Sequence, residues 1–354
     1  MTDNSQQMQS SPNNIPAENR RLIGITMGCP SGIGPEVILR FITGHKEFRD
    51  YRPVVIGDMA VLSRSARELN IAADIINWQP GNRLSGEKFI EVIEPAAYRS
   101  DDVDLANLPW GEPSPVSGYA SIAYIEKAVQ LVNQSVLKGI VTCPISKSAL
   151  QMAGCTFPGH TEMLASLCNT SNYGMMMAGP RLKVSLVTIH TSLAEVPKQL
   201  SEDEIVRIIT LTGKTLERDY GINIPRIGVA GLNPHGGEGG LFGKEEKQVI
   251  IPAVDKAASL DWHVTGPLPP DTIFNKAVGG AFDAVVAMYH DQGLIPFKLL
   301  HFADGVNVTM GLPIVRTSVD HGTAYDIAGR GVADPASLAA AFLMAGDIVG
   351  NRQI

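Results

Sequence analysis

Leu22-Ile23-Gly24-Ile25-Thr26-Met27-Gly28-Cys29-Pro30-Ser31-Gly32-Ile33-Gly34-Pro35-Glu36 reads as a strand, a glycine turn and the start of a helix. Leu22–Met27 is mostly apolar and short enough to be a buried strand. Pro35 is pre-set for a first helical turn, and Val37, Ile38 and Phe41 continue an apolar helix face. The glycines are spaced G-x-x-x-G-x-G. That is not the G-x-G-x-x-G of a dinucleotide-binding Rossmann unit, and no acidic residue stands where it would read a ribose. A glycine turn at a helix amino end suits an anion. The loop by itself leaves open both a ligand loop and a tight turn.

The same alternation continues outward. Strand-like runs recur at Val54–Ile56, Phe89–Ile93, Gly139–Thr142, Met175–Ala178, Leu182–Ile189, Arg226–Gly231, Trp262–Thr265 and Asp283–Met288. Helical patterns cover Tyr119–Val136, Glu202–Tyr220, Glu245–Ala258 and Pro335–Ile348. Strands alternating with helices predict an α/β fold with a largely parallel sheet. Pro109–Ser117 holds three prolines and reads as a hinge or crossover between lobes.

Composition narrows the function. The 354 residues are 44% hydrophobic and 18% charged, ordinary for a soluble enzyme of one large or two smaller domains. No apolar run approaches the ~20 residues that cross a bilayer. The net charge is −7 with no basic block, which argues against a nucleic-acid partner. The amino end has no apolar core of a secretory signal, and residues 1–19 are too polar to order themselves, so a disordered tail is expected. Cys29, Cys143, Cys155 and Cys168 form no C-x-x-C pair. A reducing cytoplasm is the simplest setting.

Three histidines each close an apolar run: His190 after Val184–Ile189, His235 after Ile227–Pro234, and His290 after Ala284–Tyr289. The carboxyl edge of the strands is where open α/β sheets bind ligands. Three imidazoles converging there would hold a divalent metal and leave positions for substrate. Singly, each is more ordinarily a hydrogen-bonded loop histidine.

Other stretches carry polar chemistry. In Pro158-Gly159-His160-Thr161-Glu162, His160 and Thr161 open a helix and could meet a phosphate or carboxylate, or Thr161 and Glu162 could simply suit the first turn. Asn233–Gly240 is a loop too rich in glycine to be idle. In His290-Asp291-Gln292-Gly293, Asp291 could orient His290 or act as a base. Lys298, Asn307 and Arg316 lie along irregular sequence and would suit a phosphate if they converge. Asp320–Gly331 reads as a loop entering a helical turn, either a cap or a nucleotide loop.

These motifs, in this order from Leu22 onward, resemble the 4-hydroxythreonine-4-phosphate dehydrogenase family. The resemblance is carried by Gly32–Glu36, Pro158–Glu162, Leu232–His235, Gly266–Thr272, Tyr289–Gly293 and Arg316–Ala324. The stretch 321–334 also resembles the cofactor loop of isopropylmalate dehydrogenases. That implies an isocitrate/isopropylmalate-dehydrogenase-like fold, with two α/β/α lobes and the active site in the cleft between them. The expected division is 20–134 plus 302–354 for the first lobe and 135–301 for the second, which carries the histidines.

The resemblance implies metal ligation by His190, His235 and His290. It implies substrate binding by His160, Thr161, Lys298, Asn307 and Arg316, and cofactor binding by His321, Gly322, Thr323, Ala324 and Asp326. Asp271, Asp291 and Lys298 are the candidate bases. The implied reaction is metal-dependent oxidative decarboxylation of 4-phosphooxy-L-threonine to 3-amino-2-oxopropyl phosphate and carbon dioxide, a step toward pyridoxal 5'-phosphate. NAD or NADP would be the acceptor, and zinc, cobalt, manganese or magnesium the metal. A homodimer would share each site across its interface. The chain departs from the family's commonest pattern at Cys29, at Ser31 and in Cys143–Lys147. A paralogous branch, the D-threonate and D-erythronate 4-phosphate dehydrogenases, shares nearly every other motif. A non-catalytic protein binding a phosphorylated ligand is the remaining alternative.

Overall fold

The opening strand is β1 (Arg21–Thr26), and its partners explain its burial. It pairs in parallel with β2 (Tyr51–Ile56) on one side and β5 (Gly139–Thr142) on the other. A strand flanked on both sides and covered on both faces reads as a continuous apolar run rather than an alternating one. The computed structural model describes residues 20–45, 48, 50–86, 89–95 and 104–354, so the tail expected at 1–19 lies outside the described residues.

The remaining strands are β3 (Asp74–Asn77), β4 (Phe89–Ile93), β6 (Gly174–Ala178), β7 (Lys183–Leu186), β8 (Arg226–Ala230), β9 (His263–Leu268), β10 (Ala284–Ala287), β11 (Val306–Met310) and β12 (Arg316–Val319). All join one twelve-stranded sheet in the order β3-β4-β2-β1-β5-β12-β11-β6-β7-β10-β8-β9. Pairing is parallel from β3 to β12 and from β7 to β9. It is antiparallel at β12/β11, β11/β6 and β6/β7. Three successive reversals leave the two parallel halves running in opposite senses.

The expected α/β class is what the chain adopts, with three strands added. β3, β11 and β12 are short, and the last two carry Asn307, Thr309, Arg316, Thr317 and Ser318. Polar residues hid β11 and β12, yet these two form the centre of the sheet, while β3 is an edge strand. Asn307 and Arg316 therefore do not lie along irregular sequence, as expected, but on neighbouring strands. β5 falls within the second of the two expected segments, yet it is hydrogen-bonded between β1 and β12 of the first.

Helices cover both faces. The opening glycine turn leads into α1 (Gly34–Gly44), with Pro35 in its first turn as the sequence predicts. A Cβ on Gly34 would lie 2.1 Å from the Met27 carbonyl oxygen, so no other residue fits there. The others are α2 (Met59–Glu68), α3 (Pro115–Asn133), α4 (Lys147–Met152), α5 (His160–Leu167), α6 (Val196–Gln199), α7 (Glu202–Tyr220), α8 (Ile251–Ala257), α9 (Pro270–Val278), α10 (His290–Leu300) and α11 (Ala336–Arg352). The proline-rich stretch expected as a hinge ends as a helix start: Ser114 and Ser117 form a capping box around Pro115. α7 starts at Ser201 with three acidic residues in its first turn and stops at left-handed Gly221. One core cluster runs through both halves of the sheet. A smaller one lies under α9 and α10, around Val184, Leu186, Ile273, Phe274 and Phe297. No described helix is long and apolar enough to cross a membrane.

Candidate active site

β7, β10 and β8 are adjacent and parallel, so their carboxyl ends share one edge of the sheet. His190 follows β7, and His290 opens α10 directly after β10. Their ring centroids are 6.1 Å apart with planes inclined by 38°. His290 Nδ1 lies 2.7 Å from Asp291 Oδ1. With Nδ1–H donating to that carboxylate, Nε2 is left as the electron-pair donor. Partial burial, then the charges of Lys147 and His290, push the pKa of His190 below its usual value against the pull of Glu162. His190 is therefore neutral near pH 7, as a ligand must be. Gln292 locks the strand ends together, accepting from Met288 N–H and donating to the Gly231 carbonyl, each at 2.7 Å.

His235 does not join this pair within one chain. It begins a run of left-handed residues: φ is 54° at His235, 66° at Gly236, 80° at Gly237, 43° at Glu238 and 64° at Gly239. Each non-glycine in that region costs about 1–2 kcal/mol, so the glycines are what make the turn possible. Buried Glu246 anchors its start, accepting from Leu232 N–H at 2.8 Å and Asn233 N–H at 2.7 Å. The exposed His235 ring lies 6.1 Å from Phe242. Among the described residues no three His, Cys, Asp or Glu side chains group closely enough to hold a metal ion. The expected three-histidine convergence is thus two histidines in one chain, with the third carried off by the left-handed turn.

A second cluster is cationic and buried. Arg316, on β12, donates from Nη2 to Thr142 Oγ1 at 2.7 Å and from Nη1 to Thr309 Oγ1 at 2.9 Å. No carboxylate among the described residues lies within ion-pair distance of it. Burial lowers its pKa to about 10 against the attraction of Glu162, which still leaves it charged at pH 7. His160 opens α5 with Nε2 buried and unpartnered. Burial, then the charge of Arg316, holds it neutral by lowering its pKa well below the usual value. Asn307 Oδ1 is likewise buried without a partner. Thr161 is half-buried in the same first turn as His160. A cation with no counter-ion beside unused polar atoms is a site for an oxyanion.

Lys298 is ion-paired. Its Nζ lies 3.2 Å from Asp320 Oδ2. Burial raises the pKa of Asp320, while Lys298, His321 and His290 oppose the rise. Of the other base candidates, Asp291 is bonded to His290, and Asp271 stands exposed in the first turn of α9.

The opening glycine loop proves to be a buttress. Three of its N–H groups are spent within the protein: Cys29 on the Pro144 carbonyl, Gly32 on the Cys29 carbonyl, and Ile33 on the Thr323 carbonyl at 3.1 Å. The stretch that it supports, His321–Asp326, holds a left-handed Ala324 and a buried, unpartnered His321 Nε2. Glu36 accepts from Ala333 N–H at 2.8 Å, and Arg40 donates to the Gly331 carbonyl. Lys147, Thr142, Thr309, Glu162 and Asp320 are the site residues that sequence reasoning did not single out. A buried threonine or a helix-start lysine has no local signature.

A family model described as "Pyridoxal phosphate biosynthetic protein PdxA" matches residues 49–345. The chain belongs to this family. The 4-hydroxythreonine-4-phosphate dehydrogenase of Desulfosudis oleivorans is 53% identical over 330 residues, covering 93% of this chain and 96% of that protein. The D-threonate 4-phosphate dehydrogenase of Cupriavidus necator is 44% identical, covering 94% of this chain and 98% of that one. The crystal structure of 4-hydroxythreonine-4-phosphate dehydrogenase from Klebsiella pneumoniae has a TM-score of 0.84 at 39% identity, over 93% of this chain and 99% of that chain. This PdxA-family chain is an oxidoreductase, and its fold is the family's.

Proposed function

We propose that the chain oxidises and decarboxylates 4-phosphooxy-L-threonine, with NAD or NADP as acceptor, giving 3-amino-2-oxopropyl phosphate and carbon dioxide. The observation that carries this reading is the buried Arg316 guanidinium, without a carboxylate partner and beside the unpartnered His160 Nε2. Together with Thr161 and Asn307 it suits the phosphoryl group. His190, held neutral, and the adjacent His290 are a nitrogen-donor pair that fits a divalent cation of the zinc, cobalt, manganese or magnesium class. Such a cation would supply Lewis-acid chemistry, and His321–Asp326 would hold a nicotinamide dinucleotide, which would supply the hydride acceptor.

The chain's own residues carry the rest. Asp291 orients His290. Arg316 and His160 hold the substrate's phosphate end, which fixes the carbon that loses its hydride. Of the base candidates, Lys298 is the one paired with Asp320, whose carboxyl also feels His290. As the free amine it takes the hydroxyl proton. As the ammonium it returns that proton to the carbon left with the electron pair when carbon dioxide departs.

A second copy of the chain completes the site in this proposal, in a cleft between two α/β/α lobes. Ile295 is 62% exposed, Leu299 81% and Phe302 82%, a stripe running on from His290. Leu241 is 74% exposed beside His235's neighbour Phe242. Apolar faces at both histidine stations favour a homodimer that brings His235 of one copy to the pair of the other.

The D-threonate 4-phosphate reading is kept because relatives of both names match along nearly the whole chain. Following NADH absorbance with each substrate in parallel, over a panel of metals, separates the two. No NADH from either would sink both.

A further inference from the structure

The Tyr325 side chain sits where three segments meet. Its hydroxyl lies 3.3 Å from Cys29 Sγ, on the glycine turn after β1. Cys29 N–H in turn donates to the Pro144 carbonyl at 2.9 Å, two residues before Ser146. Ser146 caps α4, accepting from Ala149 N–H at 3.2 Å and meeting Ser148 Oγ at 2.8 Å. The next residue, Lys147, is the helix's first, and its charge reaches His190. From the other direction, Gly111 packs under the Tyr325 carbonyl so closely that a Cβ there would lie 2.7 Å from the oxygen. Gly111 N–H is bonded to the Ser31 carbonyl at 2.8 Å, which returns the path to the glycine turn.

We infer that Tyr325 and Cys29 are positioning residues that couple the two ligand stations: the Tyr325 hydroxyl meets Cys29, whose N–H holds the Pro144 carbonyl, and this ties the loop His321–Asp326 to the segment that starts α4. Ordering of that loop by a dinucleotide then fixes Lys147 and the histidine side of the site, and substrate bound there holds the loop in return. Such coupling is reciprocal by linkage. The inference rests on the dinucleotide reading proposed above.

NADH fluorescence titration of the metal-supplied dimer tests it, with and without 4-phosphooxy-L-threonine or D-threonate 4-phosphate. Neither substrate turns over with NADH alone, so the complex is stable. Coupling free energies are typically about 1–3 kcal/mol, so in the unaltered protein substrate should tighten NADH at least ~5-fold. In Tyr325→Phe the ring and its packing remain but the factor should fall below about 2-fold. Cys29→Ala, which leaves Tyr325 intact, should lose it likewise, and Cys29→Ser, which keeps a hydrogen-bonding atom, should retain it. A merely structural role would lower both affinities without changing their ratio. Full coupling in both Tyr325→Phe and Cys29→Ala, or none in the unaltered protein, overturns the inference. An unaltered protein that binds neither NADH nor NADPH overturns the dinucleotide reading and this inference with it.

Discussion

Arg316 is the residue whose environment says most about the ligand. Its guanidinium is buried, held by two threonine hydroxyls, and faces no carboxylate at ion-pair distance among the described residues. A charge-assisted hydrogen bond is worth about 1.5–3 kcal/mol. Arg316→Ala should therefore raise KM for the phosphorylated substrate roughly ten- to a hundredfold, with a smaller change in kcat, and steady-state kinetics reads the split. Comparable rates with phosphorylated and free threonine would remove the oxyanion assignment. His190→Ala and His290→Ala should each abolish bound metal and nearly all turnover in a folded protein. Metal analysis beside circular dichroism checks this, and a variant retaining stoichiometric metal would not have lost a ligand. The sequence places both histidines at strand ends, but their 6.1 Å separation comes from the pairing of β7 with β10.

At the scale of elements, the carboxyl-terminal helix is pinned by one buried carboxylate. Asp219, near the end of α7, accepts from Arg352 Nε at 2.6 Å and from Arg218 Nε at 2.7 Å. Burial alone would raise its pKa, but the two arginines outweigh burial and lower it. A carboxyl with a depressed folded pKa contributes stability above its unfolded value of about 3.9. That contribution is lost as pH falls through the folded value. Arg352→Ala leaves the carboxylate buried with only half-exposed Arg218, and breaking such a pair costs about 3–5 kcal/mol. Its melting temperature at pH 7 should drop by several degrees. Asp219→Asn should drop similarly and flatten the stability profile below about pH 4. An unchanged melting temperature in both would show the clamp to be dispensable. The sequence pattern locates α7, whose apolar periodicity is strong, and the alanine-rich α11, but nothing local pairs Asp219 with a residue 133 positions away.

For the whole molecule, the decisive test is subunit mixing. Within one chain His190 and His290 are neighbours and His235 is not. If His235 reaches the pair of a second copy, His235→Ala mixed with His290→Ala restores one intact site in each mixed dimer. Half of randomly formed dimers are mixed, so on the order of a quarter of the unaltered activity should return, by symmetry counting. His190→Ala mixed with His290→Ala should recover nothing, since every site then lacks one of its paired histidines. Recovery in the second mixture, or none in the first despite proven exchange, would refute the shared arrangement.

By itself the sequence determined the α/β class, the family, and the polar residues at strand ends, because hydrophobic period and glycine placement are local signals that burial obeys. It also determined which stretches carry chemistry, since motifs such as Pro158–Glu162 and Tyr289–Gly293 are contiguous. Only the tertiary structure decided that β11 and β12 exist. Their polar residues conceal a strand pattern, and it is their neighbours in the sheet that bury them. It decided that the glycine turn braces His321–Asp326, because Ile33 N–H is bonded to the distant Thr323 carbonyl. It set His235 apart from His190 and His290 through a run of left-handed residues whose direction no one-dimensional pattern encodes. Charge environment belongs to the same category: Arg316, His160 and Asp320 are ordinary residue types, and long-range packing alone strips them of water and makes them a site.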